Sequence, residues 1–403
     1  MLRNCLSSLL RSRMVGPLVL ALFVGLSLTA CDQSSQNIEY TSGSNLTLNT
    51  ISGPGFIPNY DSTTTAEYQI RTFTLDRDYQ WSVSGVATQE ETRRQGENLV
   101  VSTSTPGSYT VTATTTIDGE QYSGSVSETV DYPTASQQAG RYNTLAIFGS
   151  VVGTAGLAPI LDSDASDSPL NGWTAFAPSN TAFLNALDAD GNGEIGGDEL
   201  PATGVLAKVL QYHVTPDSLT ASDISTQTPQ TVLHPEETLT LDGSAGTVEG
   251  TNQSVNLTTT DIATSDGVLH VIDGVLLPAS VVSINPQTVL RDTVNNVDTV
   301  AVEGTYVQDG GFVALHEGSP SGNIIGVSEK LDPGFHGNTA PIKIALDSQI
   351  SDTTTVVAMP HVDDPNDGQF TFNDPLGGDP PYTRGSSSTP VVDSASVAPP
   401  PME

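Results

Sequence analysis

The stretch Trp173-Thr-Ala-Phe-Ala-Pro-Ser-Asn-Thr-Ala-Phe183 decides how the centre of this chain folds. Ser179 or Asn180 can cap a helix that starts at Thr181, because either side chain offers an oxygen to a free first-turn N–H. Upstream, residues 143–152 carry helical apolar spacing at Leu145, Phe148 and Val152. Downstream, residues 205–214 include the dipeptide Tyr212-His213. The run Gly267-Val-Leu-His-Val-Ile-Asp-Gly-Val-Leu-Leu-Pro278 follows, and Val268, Val271, Ile272, Val275 and Leu277 are expected in one buried strand stretch. His213 and His270 are read as structural, with a ligand role as the alternative.

Three segments in this order resemble a fasciclin domain over residues 134–280. Thr-x-Phe-Ala-Pro-Ser-Asn-x-Ala-Phe is similar to the family's first signature, residues 267–278 to its second, and Tyr212-His213 to the dipeptide between them. The resemblance implies a compact α+β domain used in cell adhesion and matrix contacts, and it implies no catalysis. In animal relatives the Tyr-His region is associated with integrin binding. That partner is not carried over to this chain.

One segment departs from the pattern. Residues 188–199 read Asp-Ala-Asp-Gly-Asn-Gly-Glu-Ile-Gly-Gly-Asp-Glu and fit the EF-hand calcium loop. Calcium takes six to eight oxygens. Asp188, Asp190 and Asn192 supply them at loop positions 1, 3 and 5, Glu194 through its backbone carbonyl, and Glu199 with two. Gly193 makes the sharp turn, water fills the place of Gly196, and Ile195 anchors the loop. Helical patterns are expected on both sides. The role is structural, pinning an inserted loop; an acidic, Gly-rich surface loop is the other reading.

The expected architecture is multidomain: an Ig-like β-sandwich, then the α+β fasciclin domain, then a second mostly-β sandwich. Residues 38–133 show short alternating Thr/Val/Tyr segments broken by turn residues such as Asp118-Gly119. Tyr79-Gln-Trp-Ser-Val83 suits a central strand with Trp81 in the core. Residues 106–113 and 122–126 suit a closing hairpin. This module resembles Ig-like domains of the PKD or bacterial-surface type, which implies a spacer.

Residues 288–397 alternate like strands at 299–307 and 312–316, with Gly310-Gly311 as a hairpin turn between them. Gly311-Phe-Val-Ala-Leu-His-Glu317, Leu331-Asp-Pro-Gly-Phe-His336 and Ala358-Met-Pro-His361-Val-Asp363 are similar to an uncharacterised β-sandwich domain of halophile surface proteins. His316, His336 and His361, with Asp363, are a candidate zinc or copper set. Asp363-Asp-Pro-Asn-Asp-Gly368 offers a short calcium turn instead. Residues 398–403 are read as a tail.

The first thirty residues read as an export signal. Arg3, Arg11 and Arg13 precede an apolar run at residues 15–28, broken by Gly16, Pro17 and Gly25. Leu28-Thr-Ala-Cys31 resembles a bacterial lipobox, which implies Sec export, lipidation of Cys31 and a membrane anchor; a plain secretory signal is the alternative. Residues 31–37 form a tether. The destination is the cell envelope, with the lipid-anchored protein at the outer membrane or cell surface.

Composition bounds the function. The 403 residues carry 13 Lys+Arg against 46 Asp+Glu, a formal charge of −33, which excludes a nucleic-acid face. The only lysines are Lys208, Lys330 and Lys343. Many carboxylates with so few lysines suit a surface kept hydrated in concentrated salt, where repulsion is screened; an ordinary acidic secreted protein is the alternative. The two cysteines, Cys5 and Cys31, leave no disulfide framework. No nucleophile motif, phosphate loop or His-Glu-x-x-His is present. The reading is a non-catalytic, lipid-anchored adhesion protein whose fasciclin domain is stiffened by calcium. Its partner is a surface or matrix protein or a polysaccharide. The alternative is a metal- or small-ligand-binding protein using the C-terminal histidines.

Overall fold

The computed structural model describes residues 51–52, 64–70, 79–93, 98–103, 106–117, 119–130, 132–162, 172–251, 253–265, 267–372 and 378–401. The expected export signal at 1–30, Cys31, the expected tether at 31–37 and Asp118 lie outside them. The chain divides into two compact units, one within residues 1–128 and one built around residues 129–403.

The first unit holds β1 (Ile51–Ser52), β2 (Thr64–Ile70), β3 (Gln80–Gly85), β4 (Thr88–Arg93), β5 (Asn98–Thr103), β6 (Gly107–Ile117) and β7 (Glu120–Val130). They form one sheet of order β1-β2-β5-β4 and another of order β3-β6-β7. Alternation drives the pairing. Tyr109, Val111 and Ala113 of β6 point inward, while Thr110 and Thr112 point outward and meet Ser127 and Ser125 of β7 at 2.9 Å. Tyr68 from the first sheet meets Tyr109 from the second edge-on, at 6.3 Å between ring centroids and 85° between planes. Gly119 sits in the turn of the β6–β7 hairpin with φ +89°. The expected core position of Trp81 is corrected. Among the described residues β3 is an edge strand paired to β6, so Trp81 is half-buried and the two tyrosines occupy the centre.

The second unit begins with helices. Thr134 opens α1 (Ala135–Ala139) with a capping box to Gln137. A 3₁₀ turn at Asn143–Leu145 leads into α2 (Ala146–Thr154), and α3 (Ala158–Leu161) follows. Leu145, Phe148 and Val152 are buried, as their spacing requires. The segment Trp173–Pro178 is β8, buried at all six positions. It enters α4 (Asn180–Leu187), whose cap is Ser179, accepting the Ala182 N–H at 3.1 Å. Asn180 does another job: its Oδ1 accepts the Ile147 N–H at 3.0 Å and its Nδ2 donates to the Asn143 carbonyl at 2.7 Å, tying α4 to α2. The helix α5 (Thr203–Tyr212) buries Val205, Leu206, Val209 and Leu210 along one stripe.

A six-stranded sheet backs these helices. Its strands are β8, β9 (Val214–Thr215), β10 (Thr240–Asp242), β11 (Thr247–Glu249), β12 (Ser254–Ala263) and β13 (Gly267–Ile272), in the order β10-β11-β12-β13-β8-β9. The central pair β13–β8 is parallel, with Gly267 opposite Trp173 and Ile272 opposite Pro178. Glycine is required at 267, because a Cβ there would lie 2.3 Å from the Trp173 ring. The expected strand stretch through Leu277 is shorter. It ends at Ile272; Val275 is buried beyond the strand and Leu277 is half-buried.

The rest of the unit is all-β. It comprises β14 (Ser280–Ser283), β15 (Gln287–Thr288), β16 (Leu290–Asp292), β17 (Val297–Val302), β18 (Gly304–Val307), β19 (Phe312–Glu317), β20 (Ile324–Val327), β21 (Gly334–His336), β22 (Ile342–Ala345), β23 (Thr354–His361) and β24 (Asp393–Ala398). Three sheets result, ordered β15-β24-β23-β19-β20, β16-β17-β22 and β14-β18-β21, around Val300, Val302, Val313, Leu315, Ile344, Val356, Ala358 and Val397. Asp298 is fully buried on β17 and is held by Arg291 through paired bonds of 2.7 and 2.8 Å.

Two expectations here are corrected. Residues 299–307 are two strands that break at Glu303 and join different sheets. Gly310-Gly311 is not a hairpin turn, because β18 pairs with β14 and β21 while β19 pairs with β20 and β23. The glycines carry the chain between sheets, and Gly311 exchanges backbone hydrogen bonds with Leu331 at 2.9 and 2.7 Å. Ala398 belongs to β24 rather than to a tail.

The helical half and the all-β half share a core. Val281 of β14 and Tyr306 of β18 are buried in the same cluster as Val205, Leu206 and Val209 of α5. Around that seam, Lys208 pairs with Asp393 at 2.8 Å, and Glu303 accepts the Gly204 N–H at 3.2 Å and the Ser283 hydroxyl at 2.7 Å. Residues 134–280 expressed alone would leave the α5 face open to water. That fragment is expected to unfold at a lower urea midpoint than residues 129–403, which should melt in one transition. Circular dichroism of both proteins tests this.

Candidate functional site

The 188–199 loop leaves the C-terminus of α4 and folds around its own carboxylates. Asp188 Oδ1 accepts the Gly191 and Asn192 N–H groups at 2.7 and 3.1 Å, and its Oδ2 accepts that of Gly193 at 2.8 Å. Glu199 Oε1 accepts from Ala189 and Asp190 at 2.7 and 3.2 Å, and its Oε2 from Gly196 at 2.7 Å. Gly193 has φ +84°, a conformation that side chains resist, so glycine makes the turn. Carboxylate oxygens of Asp188, Asp190 and Glu199 lie within 4.8 Å of one another. Asn192 Oδ1 accepts the Glu194 N–H at 2.7 Å and its amide donates to Asp190 at 2.9 Å, while Glu194 itself is exposed. Ile195 packs on the domain core, as its anchor role requires.

One helix flanks this loop directly. On the exit side Glu199 and Leu200 both bond to the Gly196 carbonyl in a single turn, at 3.1 and 3.2 Å, and α5 starts only at Thr203. Among the described residues no Lys or Arg pairs with the three carboxylates. Their charge is held by N–H groups alone. The Gly193 N–H keeps the Asp188 carboxyl below its ordinary range, and the Gly196 N–H does the same for Glu199. Three carboxylates so close together have the donor chemistry of a hard-cation site.

The C-terminal candidate set separates. His316 and His361 come together, with ring centroids 5.9 Å apart and planes at 10°. His336 is on β21, in another sheet, and bonds the Asp332 carbonyl at 2.6 Å. Asp363 pairs with Lys330 and accepts the Gly368 N–H at 3.0 Å, so it is not free to ligate. The same lysine donates to Asn366. Its ammonium stands among the oxygens that a calcium turn at 363–368 would use, which overturns that alternative.

The fasciclin-region histidines are structural. His213 is fully buried, with Nδ1 against the Val209 carbonyl at 2.8 Å and Nε2 accepting the Leu276 N–H at 2.9 Å. His270 accepts the Asp261 N–H at 3.2 Å and bonds the Leu219 carbonyl at 2.8 Å. Tyr212 is 1% exposed. The Tyr-His dipeptide is therefore core, not surface. Sequence reasoning missed Met359, which alternates with His361 on β23, and the Lys208–Asp393 pair at the seam. A period-2 reading of residues 354–361 would have exposed the first; nothing local marks the second.

Residues 143–278 match the family model of the fasciclin domain, and residues 286–398 match a domain of unknown function (DUF7282). Cell surface glycoprotein 2 of Haloarcula hispanica is 28% identical over 243 residues, covering 59% of this chain and 24% of that protein. Cell surface glycoprotein 1 of the same organism is 31% identical over 173 residues, covering 41% of this chain and 17% of that protein. The chain thus spans a quarter or less of either relative. Protein sll1483 of Synechocystis sp. is 33% identical over 132 residues, covering 32% of this chain and 67% of that protein.

Burial pushes His213 and His361 down to about 4. Between that value and the ordinary 6.5, the unfolded chain binds protons that the folded chain refuses. Stability therefore rises with pH across this window and is lost as pH falls through it. Each histidine is worth roughly 3 kcal/mol when the window is fully crossed. Urea midpoints are expected to fall between pH 6.5 and 5, with a shallower fall in His213→Gln.

Proposed function

The chain belongs to the fasciclin-domain proteins, and on that premise we propose a non-catalytic surface lipoprotein that makes cell or matrix contacts, with calcium held in its 188–199 loop. The observation that carries the calcium reading is the convergence of Asp188, Asp190 and Glu199 within 4.8 Å, at loop positions 1, 3 and 12. Asn192 and the Glu194 carbonyl complete the set. The ion would replace the N–H groups that now hold these charges and fix the loop against the core through Ile195.

The surface setting is supported by the two Haloarcula relatives, which are named cell surface glycoproteins. In this reading the lipid on Cys31 anchors the chain after Sec export, and the two-sheet N-terminal unit is an Ig-like spacer. No helix among the described residues is long and apolar enough to cross a membrane. Large exposed apolar side chains are few there: Tyr132, Leu290 and Val294. Contact with a polysaccharide or a matrix protein would run through hydrogen bonds and bridging divalent ions, since concentrated salt screens charge attraction. Tyr212-His213 is buried, so the contact surface lies elsewhere on the domain.

Calorimetric titration of calcium into the Cys31→Ser chain, in high salt, tests the loop. One saturable site is expected at ~10⁻⁴–10⁻³ M, weakened at least about tenfold in Glu199→Gln, which loses the charge that closes the loop. No saturable heat up to about 10 mM, beyond the weak end of that range, would remove calcium from the reading. Attachment of cells carrying the protein is expected to drop on chelation. The Cys31→Ser chain should leave the membrane fraction and appear in the aqueous one.

A further inference from the structure

The strands β19 and β23 present two faces. Val313, Leu315, Val356 and Ala358 point into the domain core. Alternation puts Phe312, Ala314, His316, Val357, Met359 and His361 on the other face. The register sets Phe312 opposite His361, Ala314 opposite Met359 and His316 opposite Val357. The two histidines are thus separated along the sheet by the Ala314–Met359 pair. Ala314 has only a methyl group, and the imidazole centroids stand 5.9 Å apart.

We propose that His316, Met359 and His361 form a buried site for a soft monovalent metal ion, Cu(I). This goes beyond the calcium and adhesion reading and does not rest on it.

The orientation of the rings carries the argument. His316 Nδ1 lies 3.1 Å from the Gly322 carbonyl and His361 Nδ1 lies 2.7 Å from the Asp379 carbonyl. A carbonyl only accepts, so both Nδ1 atoms carry the proton and both Nε2 atoms carry a lone pair. Those two Nε2 atoms are buried and have no hydrogen-bond partner. His316 is 2% exposed and His361 0%. A backbone carbonyl behind each Nδ1–H is the arrangement that orients metal-bound histidines. Two orphaned acceptors on neighbouring rings, with Met359 at the intervening register position on the same face, need an occupant.

The surroundings select the ion. Phe372 sets its edge on both rings, at 4.6 Å from His361 and 6.3 Å from His316, and Phe370 packs on His361 at 5.2 Å. The nearby carboxylates are committed elsewhere. Asp363 is paired to Lys330, and Asp379 accepts the Asp364 N–H at 2.9 Å and the Thr371 backbone and hydroxyl. The donor set is therefore two neutral nitrogens and one sulfur in an apolar box. A divalent ion would bring two uncompensated charges into it, at high desolvation cost. Cu(I) brings one and favours imidazole with thioether.

The test is anaerobic titration of Cu(I) into the full chain in detergent, against a chromophoric Cu(I) chelator. Concentrated sulfate is used, because chloride binds Cu(I). One Cu(I) per chain is expected, with two nitrogens and one sulfur around copper by X-ray absorption. Met359→Leu keeps the volume and should leave the melting curve in place while weakening Cu(I) at least tenfold. His316→Gln should abolish stoichiometric uptake. Absence of uptake, a copper shell without sulfur, undiminished binding in both variants, or tighter retention of Zn(II) than of Cu(I) would each overturn the site.

Discussion

The parallel pairing of β8 with β13 is the contact on which the second unit hangs. Its partners lie far apart in sequence, with α4, the 188–199 loop, α5 and four strands of the sheet between them. Closing so long a connection costs chain entropy, and buried side chains must repay it. All six residues of β8 and five of the six in β13 are buried. Trp173 lies flat where Gly267 leaves room for it. The insertion at 188–199 is tolerated because it sits at the exposed end of α4, outside this ladder.

The fasciclin half was legible because its signatures are local necessities. Ser179 caps a helix, Gly267 makes way for an indole, and each fixes its neighbours' conformation. The convergence of the 188–199 carboxylates was legible for the same reason: spacing and turn glycine determine where Asp188 and Glu199 point. The histidine set was not. Whether His316 meets His361 or His336 depends on strand register and on the small size of Ala314, neither of which is a local property. Gly310-Gly311 likewise announces a change of direction but not which sheet receives the chain. Trp81 was placed by residue type, whereas an edge strand left it half-buried.

The chain has few bases, and three of those among the described residues hold buried or half-buried carboxylates. Lys208 holds Asp393, Lys330 holds Asp363 and Arg291 holds Asp298. The loop carboxylates have no such partner among the described residues and rely on backbone N–H groups. These three basic groups thus serve cohesion, and the acidic excess is left for water and cations.

The seam between α5, β14 and β18 has a mechanical meaning. Because Val281 and Tyr306 sit in the core of the helical half, no slack string of residues joins the two halves. A pull applied across this unit would load packed side chains and sheet ladders in shear. The unit would transmit tension as a stiff rod segment and give way abruptly, with both halves yielding together.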